Sequence, residues 1–261
     1  MISLPILIQD TKSNIKFWMA FTVVLCLFMT VMTNVFTPAT IGGLGEMASG
    51  TIAGNLLKGA NTLVGFMANS FYTLMAIIFP MLYSIIVGNR LVAEKVDHGD
   101  MSGLLSTPTK RISIVITKAI YFVCSLVLMW TVIYLVGLGV SQLFQPGELD
   151  LDTFLLLNIG CLLYHLAISS ICYIASCVFN VSKMSMALGG GISLFFYVIA
   201  LIVKLSDNLD ILKYFTLNTL YDTEKIIEGS GYGANFLILA ITAVVLYTSG
   251  IIVFCKKDLP L

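Results

Sequence analysis

Six long apolar segments constrain this chain more than any other feature of its sequence. A helix needs about 20 mostly apolar residues to cross a hydrocarbon core of roughly 30 Å, because every backbone polar group must be satisfied inside the segment. Only 11% of the residues are charged and 58% are hydrophobic, which excludes an ordinary soluble protein. The sequence therefore predicts an all-α membrane protein, with a single transmembrane domain over residues 1–261. The six segments lie at 17–36, 71–88, 119–144, 154–179, 186–203 and 234–254.

Small residues inside these segments predict close packing between helices. The pair Gly137 and Ser141 and the run Gly189–Gly191 are interpreted as packing sites rather than ligand contacts. The glycine run also favours an irregular fifth helix, which is the shortest of the six. The cysteines lie in or beside apolar runs, without the spacing of a disulfide framework or a zinc site, so they are interpreted as packing residues too. These are Cys26, Cys124, Cys161, Cys172, Cys177 and Cys255.

The distribution of basic residues predicts the orientation in the membrane. Short segments rich in Lys and Arg stay in the cytoplasm, and both termini and the loops after the second and fourth segments carry most of these residues. Both termini are therefore predicted to face the cytoplasm. Lys plus Arg and Asp plus Glu number 14 each, so no basic excess points to nucleic acid.

Three further segments are predicted to lie at the membrane surfaces, in contact with membrane lipids. Residues 1–16 would form an N-terminal interfacial helix on the inside. Residues 37–70 and 204–233 would form outer segments, because they mix apolar residues at helical spacing with glycines or charges.

The loop at 89–112 concentrates charge between the second and third apolar segments. Its centre is predicted to form a short helix that Asp100 or Ser102 caps and that ends before Pro108. A neighbouring pair of leucines would give this helix an apolar face. Two interpretations stay open from composition: a docking element for a partner, or a solvated loop whose charges keep it inside.

The residues of this loop resemble a known motif. In order and in position after the second of six spans, they resemble the coupling motif of ABC transporter permeases of the type-2 exporter family. The segment "LDILKYFTLNTLYDTEKIIEGS" is similar to the family's outer segment, although Leu217 or Asn218 stands where that pattern usually has proline. Asp100 also departs from the threonine that often follows the glycine, and the resemblance assigns no role to His98. The matching residues are Glu94, Gly99, Leu104, Leu105, Pro108 and Arg111.

This resemblance implies a half-transporter. Two membrane subunits, either a second copy or a homologous permease, would form the pathway, and two cytoplasmic ABC ATPase subunits would bind beneath them. The six motif residues would belong to the coupling element, and the N-terminal interfacial helix would contact the ATPase as well. The sequence "GNLLKGAN" has neither the spacing nor the order of a phosphate-binding loop. We therefore expect that the chain is not an enzyme and binds no cofactor directly. The partner ATPase would use ATP and Mg²⁺.

A row of polar residues marks one face of the fourth segment. Two interpretations stay open: the row lines the translocation pathway, or it holds packed helices together, with a neutral His165 hydrogen-bonded between them. The packing interpretation is favoured. The row consists of Asn158, His165, Ser169, Cys172 and Ser176.

The substrate class is the least constrained part of the function. A membrane-embedded enzyme is disfavoured, because no Asp or Glu lies deep in a segment and "GGGISLF" fails the G-x-S-x-G pattern. A passive channel or membrane scaffold stays a remote alternative, which the coupling motif disfavours. In size and span order the chain is similar to Gram-positive permeases that expel amphipathic peptides such as phenol-soluble modulins. This favours a bacterial plasma-membrane exporter of a hydrophobic or amphipathic substrate such as a peptide toxin or antimicrobial peptide, with multidrug, antibiotic or ion export as the alternative.

Overall fold

The computed structural model describes residues 2–35, 62–106, 109–205 and 216–258. Within these ranges the chain is helical apart from short connections, and six helices are long and apolar enough to cross a membrane, which confirms the predicted fold class. The helices are α1 Leu4–Val35, α2 Leu63–Met67, a π-helical segment Ala68–Met75, α3 Ala76–Leu91, α4 Ala93–Asp97, α5 Asp100–Leu105, α6 Arg111–Phe144, α7 Leu151–Val178, α8 Ser182–Leu205, a 3₁₀ turn Leu217–Leu220, α9 Thr223–Ile227 and α10 Tyr232–Lys256.

The long helices extend beyond the apolar segments that predict them. The clearest case is α1, which runs unbroken from Leu4 to Val35 rather than separating an N-terminal helix from the first span. Polar residues are accommodated because their side chains are bonded locally; Asn14 Nδ2, for example, donates to Asp10 O at 2.9 Å. The interfacial position of residues 1–16 stays a prediction.

The fifth span corrects one expectation. α8 is a regular helix through its glycine run, because tertiary packing overrides the low helix propensity of glycine. A Cβ on Gly189 would lie 3.1 Å from Cys172 Cα, and one on Gly190 would lie 3.1 Å from Ile85 Cγ2. The same test at Gly137 places a Cβ 2.5 Å from the ring of Phe154. These close approaches confirm the predicted packing role of Gly137, Gly189 and Gly190, whereas a Cβ on Gly191 would meet no atom within 4 Å.

The fourth span, α7, is the central column of the bundle. It packs against α10, α3, α8 and α6, whereas α1 packs mainly against α6. Fully buried aromatic residues such as Tyr164 and Tyr173 fill the space between α7 and its neighbours. Side chains of α7 therefore face other helices on most sides.

One end of the bundle collects the chain segments that were predicted to be cytoplasmic. Ser3 N donates to Thr117 Oγ1 at 3.0 Å, which places the beginning of α1 beside the beginning of α6. The Lys257 ammonium donates to the carbonyls of Cys177 and Val178 at the end of α7, where a cation is favoured by the helix dipole. Removal from water lowers the pKa of Lys257. We call this region the loop end.

The opposite end carries the second outer segment. Of residues 204–233, positions 206–215 lie outside the described residues, as do residues 37–61 of the first outer segment. Tyr164 Oη donates to Asn218 Oδ1 at 2.5 Å, which joins the 3₁₀ turn to α7. Tyr221 Oη donates to Leu157 O at 3.3 Å, and burial raises the pKa of Tyr221. This segment is therefore packed onto the bundle.

Candidate functional site

The first half of the predicted coupling loop is part of the membrane bundle. It forms α4, a helix of five residues in which Ala93 and Val96 are buried. Three alternate residues of α4 are bonded to three different long helices, which are α7, α1 and α8. Such contacts fix both the position and the rotation of a short helix that could not be stable alone in water. The bonds join Ala93 N to Ser176 Oγ at 2.8 Å, Lys95 Nζ to Asp10 Oδ1 at 2.9 Å and Ser182 N to Asp97 Oδ2 at 3.1 Å.

The second half of the loop forms α5, which is mostly exposed. Met101 is buried and Leu104 is half-buried against the core, whereas Asp100, Ser102 and Gly103 are exposed. α5 therefore protrudes from the loop end, with few side chains holding it to the bundle.

Gly99 makes the turn between α4 and α5. Its φ is 80°, in the left-handed region that glycine adopts readily and other residues adopt at a cost. Gly99 N donates to Val96 O at 3.1 Å, which ends α4. Gly99 is also the N-cap residue of α5, and no side chain caps the helix there. The expectation that Asp100 or Ser102 caps this helix is therefore wrong: Ser102 Oγ instead donates to Gly99 O at 2.7 Å.

The motif residues occupy different parts of this loop. Glu94 is half-buried in α4, and Arg111 begins α6, where its Nη1 donates to Lys257 O at 3.4 Å. Gly99 and Leu104 lie in the turn and in α5. The side chain of Leu105 and all of Pro108 lie outside the described residues. Their coupling roles stay a prediction.

A buried cluster of charges, which the sequence analysis missed, lies beside α4. Asp10 Oδ1 accepts from Lys95 Nζ, and both carboxylate oxygens accept from Lys118 Nζ, at 3.1 and 3.2 Å. Asp10 and Lys118 are fully buried. A signal was present in the sequence, because Asp10 is the one acidic residue in the long helix α1 and an acid in such a helix requires a partner.

A second contact ties the end of α3 to α1. Arg90 Nε donates to Asn14 Oδ1 at 3.2 Å, and the guanidinium lies 4.8 Å above the centre of the Phe17 ring. Arg90 also reaches Ser13 Oγ at 3.5 Å. The first span is therefore connected to residues on both sides of Val92, which separates α3 from α4.

The polar row of α7 is buried, and its members are bonded within this subunit. Each contacts a neighbouring element, so the packing interpretation accounts for their described contacts; the pathway-lining role stays a prediction. The contacts are Asn158 Nδ2 to Tyr72 Oη at 2.6 Å, His165 Nε2 to Ile77 O at 3.2 Å, Ser169 Oγ to Tyr247 Oη at 2.7 Å, Cys172 Sγ to Gly189 O at 3.8 Å and Ser176 Oγ to Ala93 N at 2.8 Å.

His165 has a physical role at a proline in the neighbouring helix. Pro80 lies inside α3 and has no N–H, so the carbonyl of Ala76 loses its helical donor. The Cys161 thiol lies 3.8 Å from Ala76 O, and His165 Nε2 lies 3.2 Å from the next carbonyl, that of Ile77. The Cys161 thiol of α7 can thus donate to the carbonyl that Pro80 leaves without its helical donor, and His165 packs beside the next carbonyl. A neutral imidazole donates from one ring nitrogen only, and His165 Nδ1 lies closer to a carbonyl, at 2.7 Å from Cys161 O.

The fold and the loop end define a multi-pass helical membrane protein with an exposed helix between its second and third spans. The model of the ABC-2 family transporter proteins matches residues 4–259. The chain belongs to this family, and it is a membrane permease subunit of an ABC transporter. Such a subunit is not itself the ATPase, and it associates with an ABC ATPase partner. No curated protein sequence matches the chain significantly.

Proposed function

We propose that this permease is one half of the membrane pathway of an ATP-driven exporter. Two permease subunits, identical or homologous, enclose the pathway. Two ATPase subunits bind ATP and Mg²⁺ and contact the loop end, which faces the cytoplasm together with both termini. The substrate is a hydrophobic or amphipathic molecule, and an amphipathic peptide is the first candidate.

The division of the loop into an anchored helix and an exposed helix supports this proposal most strongly. An ATPase that binds and displaces α5 also displaces α4, because only the turn at Gly99 separates the two helices. The bonds of α4 then distribute the displacement to the first, fourth and fifth spans. Closure of the ATPase dimer would in this way displace these spans and switch the pathway between inward and outward access.

The distribution of charge supports an apolar or amphipathic cargo. Within residues 17–35, 63–89, 119–144, 153–178, 184–203 and 232–255 the sequence contains no Asp, Glu, Lys or Arg. A pathway between such spans offers no fixed charge to an ion or a sugar phosphate. Amphipathic molecules concentrate at the membrane surface, where they reach apolar spans without crossing water.

Reconstitution with the partner ATPase tests this function. The purified permease alone should hydrolyse no ATP above background, and the complex should do so in liposomes. A fluorescently labelled amphipathic helical peptide should raise the hydrolysis rate and be transported, whereas a lipophilic dye and a sugar-linked lipid should do neither. Hydrolysis by the permease alone would contradict the division of labour, and transport of only the dye or the sugar lipid would contradict the peptide substrate.

If the peptide is transported, two variants test the polar row of α7. Asn158→Leu removes a donor to Tyr72, and His165→Leu removes the ring nitrogens that lie beside the carbonyls of Cys161 and Ile77. A lining role predicts altered peptide selectivity at unchanged thermal stability. A packing role predicts lower stability and unchanged selectivity.

A further inference from the structure

One carboxylate contacts residues on both sides of the coupling loop. Asp10 of α1 accepts from Lys95 in α4, which precedes the turn at Gly99, at 2.9 Å. It also accepts from Lys118 in α6, which follows the loop, at 3.1 Å. The two lysines are 23 positions apart in the sequence, yet they meet on a single side chain of the first span.

Burial makes this contact difficult to separate. The side chains of Asp10 and Lys118 are fully buried, and that of Lys95 is 15% exposed. A buried carboxylate that loses both of its cations is left unpaired in a medium that solvates it poorly, so loss of its last partner is strongly unfavourable. The first span, α4 and the beginning of α6 are therefore held as one unit as long as both contacts are made.

The two lysines that contact Asp10 have different roles in the charge balance of the cluster. Asp10 carries one negative charge, which Lys118 balances in full within the bundle. Lys95 adds a second positive charge at the partly exposed side, so it can be removed without leaving Asp10 unpaired. The contact with Lys118 is thus the fixed one, and the contact with Lys95 is the connection to the loop.

We infer that Asp10 is a positioning residue that makes the first span follow the coupling loop. A displacement of α5 by the ATPase reaches α4 through Gly99, and the bond between Lys95 and Asp10 transmits it to α1. The bond between Asp10 and Lys118 keeps α6 aligned with that movement. The inference rests on the proposed function in one respect, namely that the ATPase contacts α5.

The distance between α1 and the loop measures this connection directly. Spin labels are attached through unnatural amino acids at Lys12 and His98, which are both exposed. Their distance distribution is recorded in the free permease and in its complex with the ATPase, without nucleotide and with ATP. We expect one narrow distribution in all three states of the native sequence. The variants Asp10→Asn and Lys95→Gln should broaden it at least twofold.

Controls separate this result from misfolding. Asp10→Glu keeps the carboxylate and should restore the narrow distribution, and Lys16→Gln changes an exposed cation of the same helix and should have no effect. If Asp10→Asn does not fold, Lys95→Gln decides, because it leaves the buried pair of Asp10 and Lys118 intact. A narrow distribution in Lys95→Gln overturns the inference.

Failure of the proposed function gives a different result. If the ATPase does not contact α5, it will still co-purify with a Leu104→Asp permease. The distance distribution of the free permease would continue to report on Asp10 in that case, because it requires no partner.

Discussion

The two short helices of the coupling loop, α4 and α5, are nearly equal in length but differ in what holds them. α4 has five residues and is bonded to three long helices, whereas α5 has six and touches the bundle chiefly through Met101 and Leu104. Only His98 and Gly99 separate them. The difference shows that one loop can belong partly to the membrane domain and partly to a surface that is available to a partner.

The largest expected effect concerns the apolar face of α5. Leu104→Asp places a charge on a half-buried apolar position at the expected ATPase contact. If that position is fully buried in the complex, the change costs about 2–4 kcal/mol of binding, which corresponds to roughly a 30- to 1000-fold loss of affinity. Binding of the ATPase to the purified permease in detergent or nanodiscs measures this loss.

The control for this variant is Lys225→Asn, which changes the net charge by the same amount on α9, at the end of the bundle opposite the loop. It should bind the ATPase with the native affinity. Native affinity in Leu104→Asp would mean that α5 is not a docking element and that the solvated-loop interpretation is correct.

The next effect tests how α4 is anchored. Ser176→Ala removes the hydroxyl that accepts from the buried N–H of Ala93. An unsatisfied buried donor costs about 1–3 kcal/mol, so the thermal unfolding temperature should fall while ATPase affinity changes little. The matched variant Ser106→Ala removes an exposed hydroxyl beside α5 and should leave stability unchanged. Equal stability of the two variants would contradict the anchored role of α4.

A smaller effect is expected at the turn between the helices. Gly99→Ala forces an L residue into the left-handed region and costs about 1–2 kcal/mol, although the new Cβ would meet no atom within 4 Å. Gly103→Ala also meets none, but it lies within α5 and should stabilise that helix by about 0.5–1 kcal/mol. Hydrogen exchange of residues 98–106 should therefore become faster in the first variant and slower in the second. The same direction of change in both would argue against the turn geometry.

The smallest effect is expected for Glu94, which is half-buried in α4. Glu94→Lys reverses a charge at the edge of the expected contact, and exposed ion pairs are worth roughly 0.2–1 kcal/mol. The loss of ATPase affinity should be large at low salt and disappear at high salt, because charges at a rim act mainly on association. A loss that is independent of salt would place Glu94 in the buried centre of the contact.

The spans were predictable because length and apolar composition are local properties of a sequence. The exposed centre of the loop was also predicted, since Leu104 and Leu105 follow a cluster of charges. The buried charges were not predictable in this way, because Asp10 finds its partners on two other helices. Such partners lie far away in the sequence, so no local pattern specifies them.

The caps and the polar row show the same limit. Asp100 and Ser102 have side chains that can cap a helix, but the N-cap position of α5 is occupied by Gly99, which has no side chain. His165 of α7 packs beside Ile77 in α3, the helix that Pro80 disrupts. The sequence contains both His165 and Pro80, but it does not show that they lie close together in the fold.

Hydrogen exchange of the loop, followed by mass spectrometry with and without the ATPase, tests the central claim most directly. The amides of α4 should be protected in the free permease and change little when the nucleotide-loaded ATPase binds. The amides of α5 should exchange quickly in the free permease and slow at least tenfold in the complex. Equal protection of the two helices in the free permease, or unchanged exchange of α5 in the complex, would contradict the division of the loop into an anchored half and a docking half.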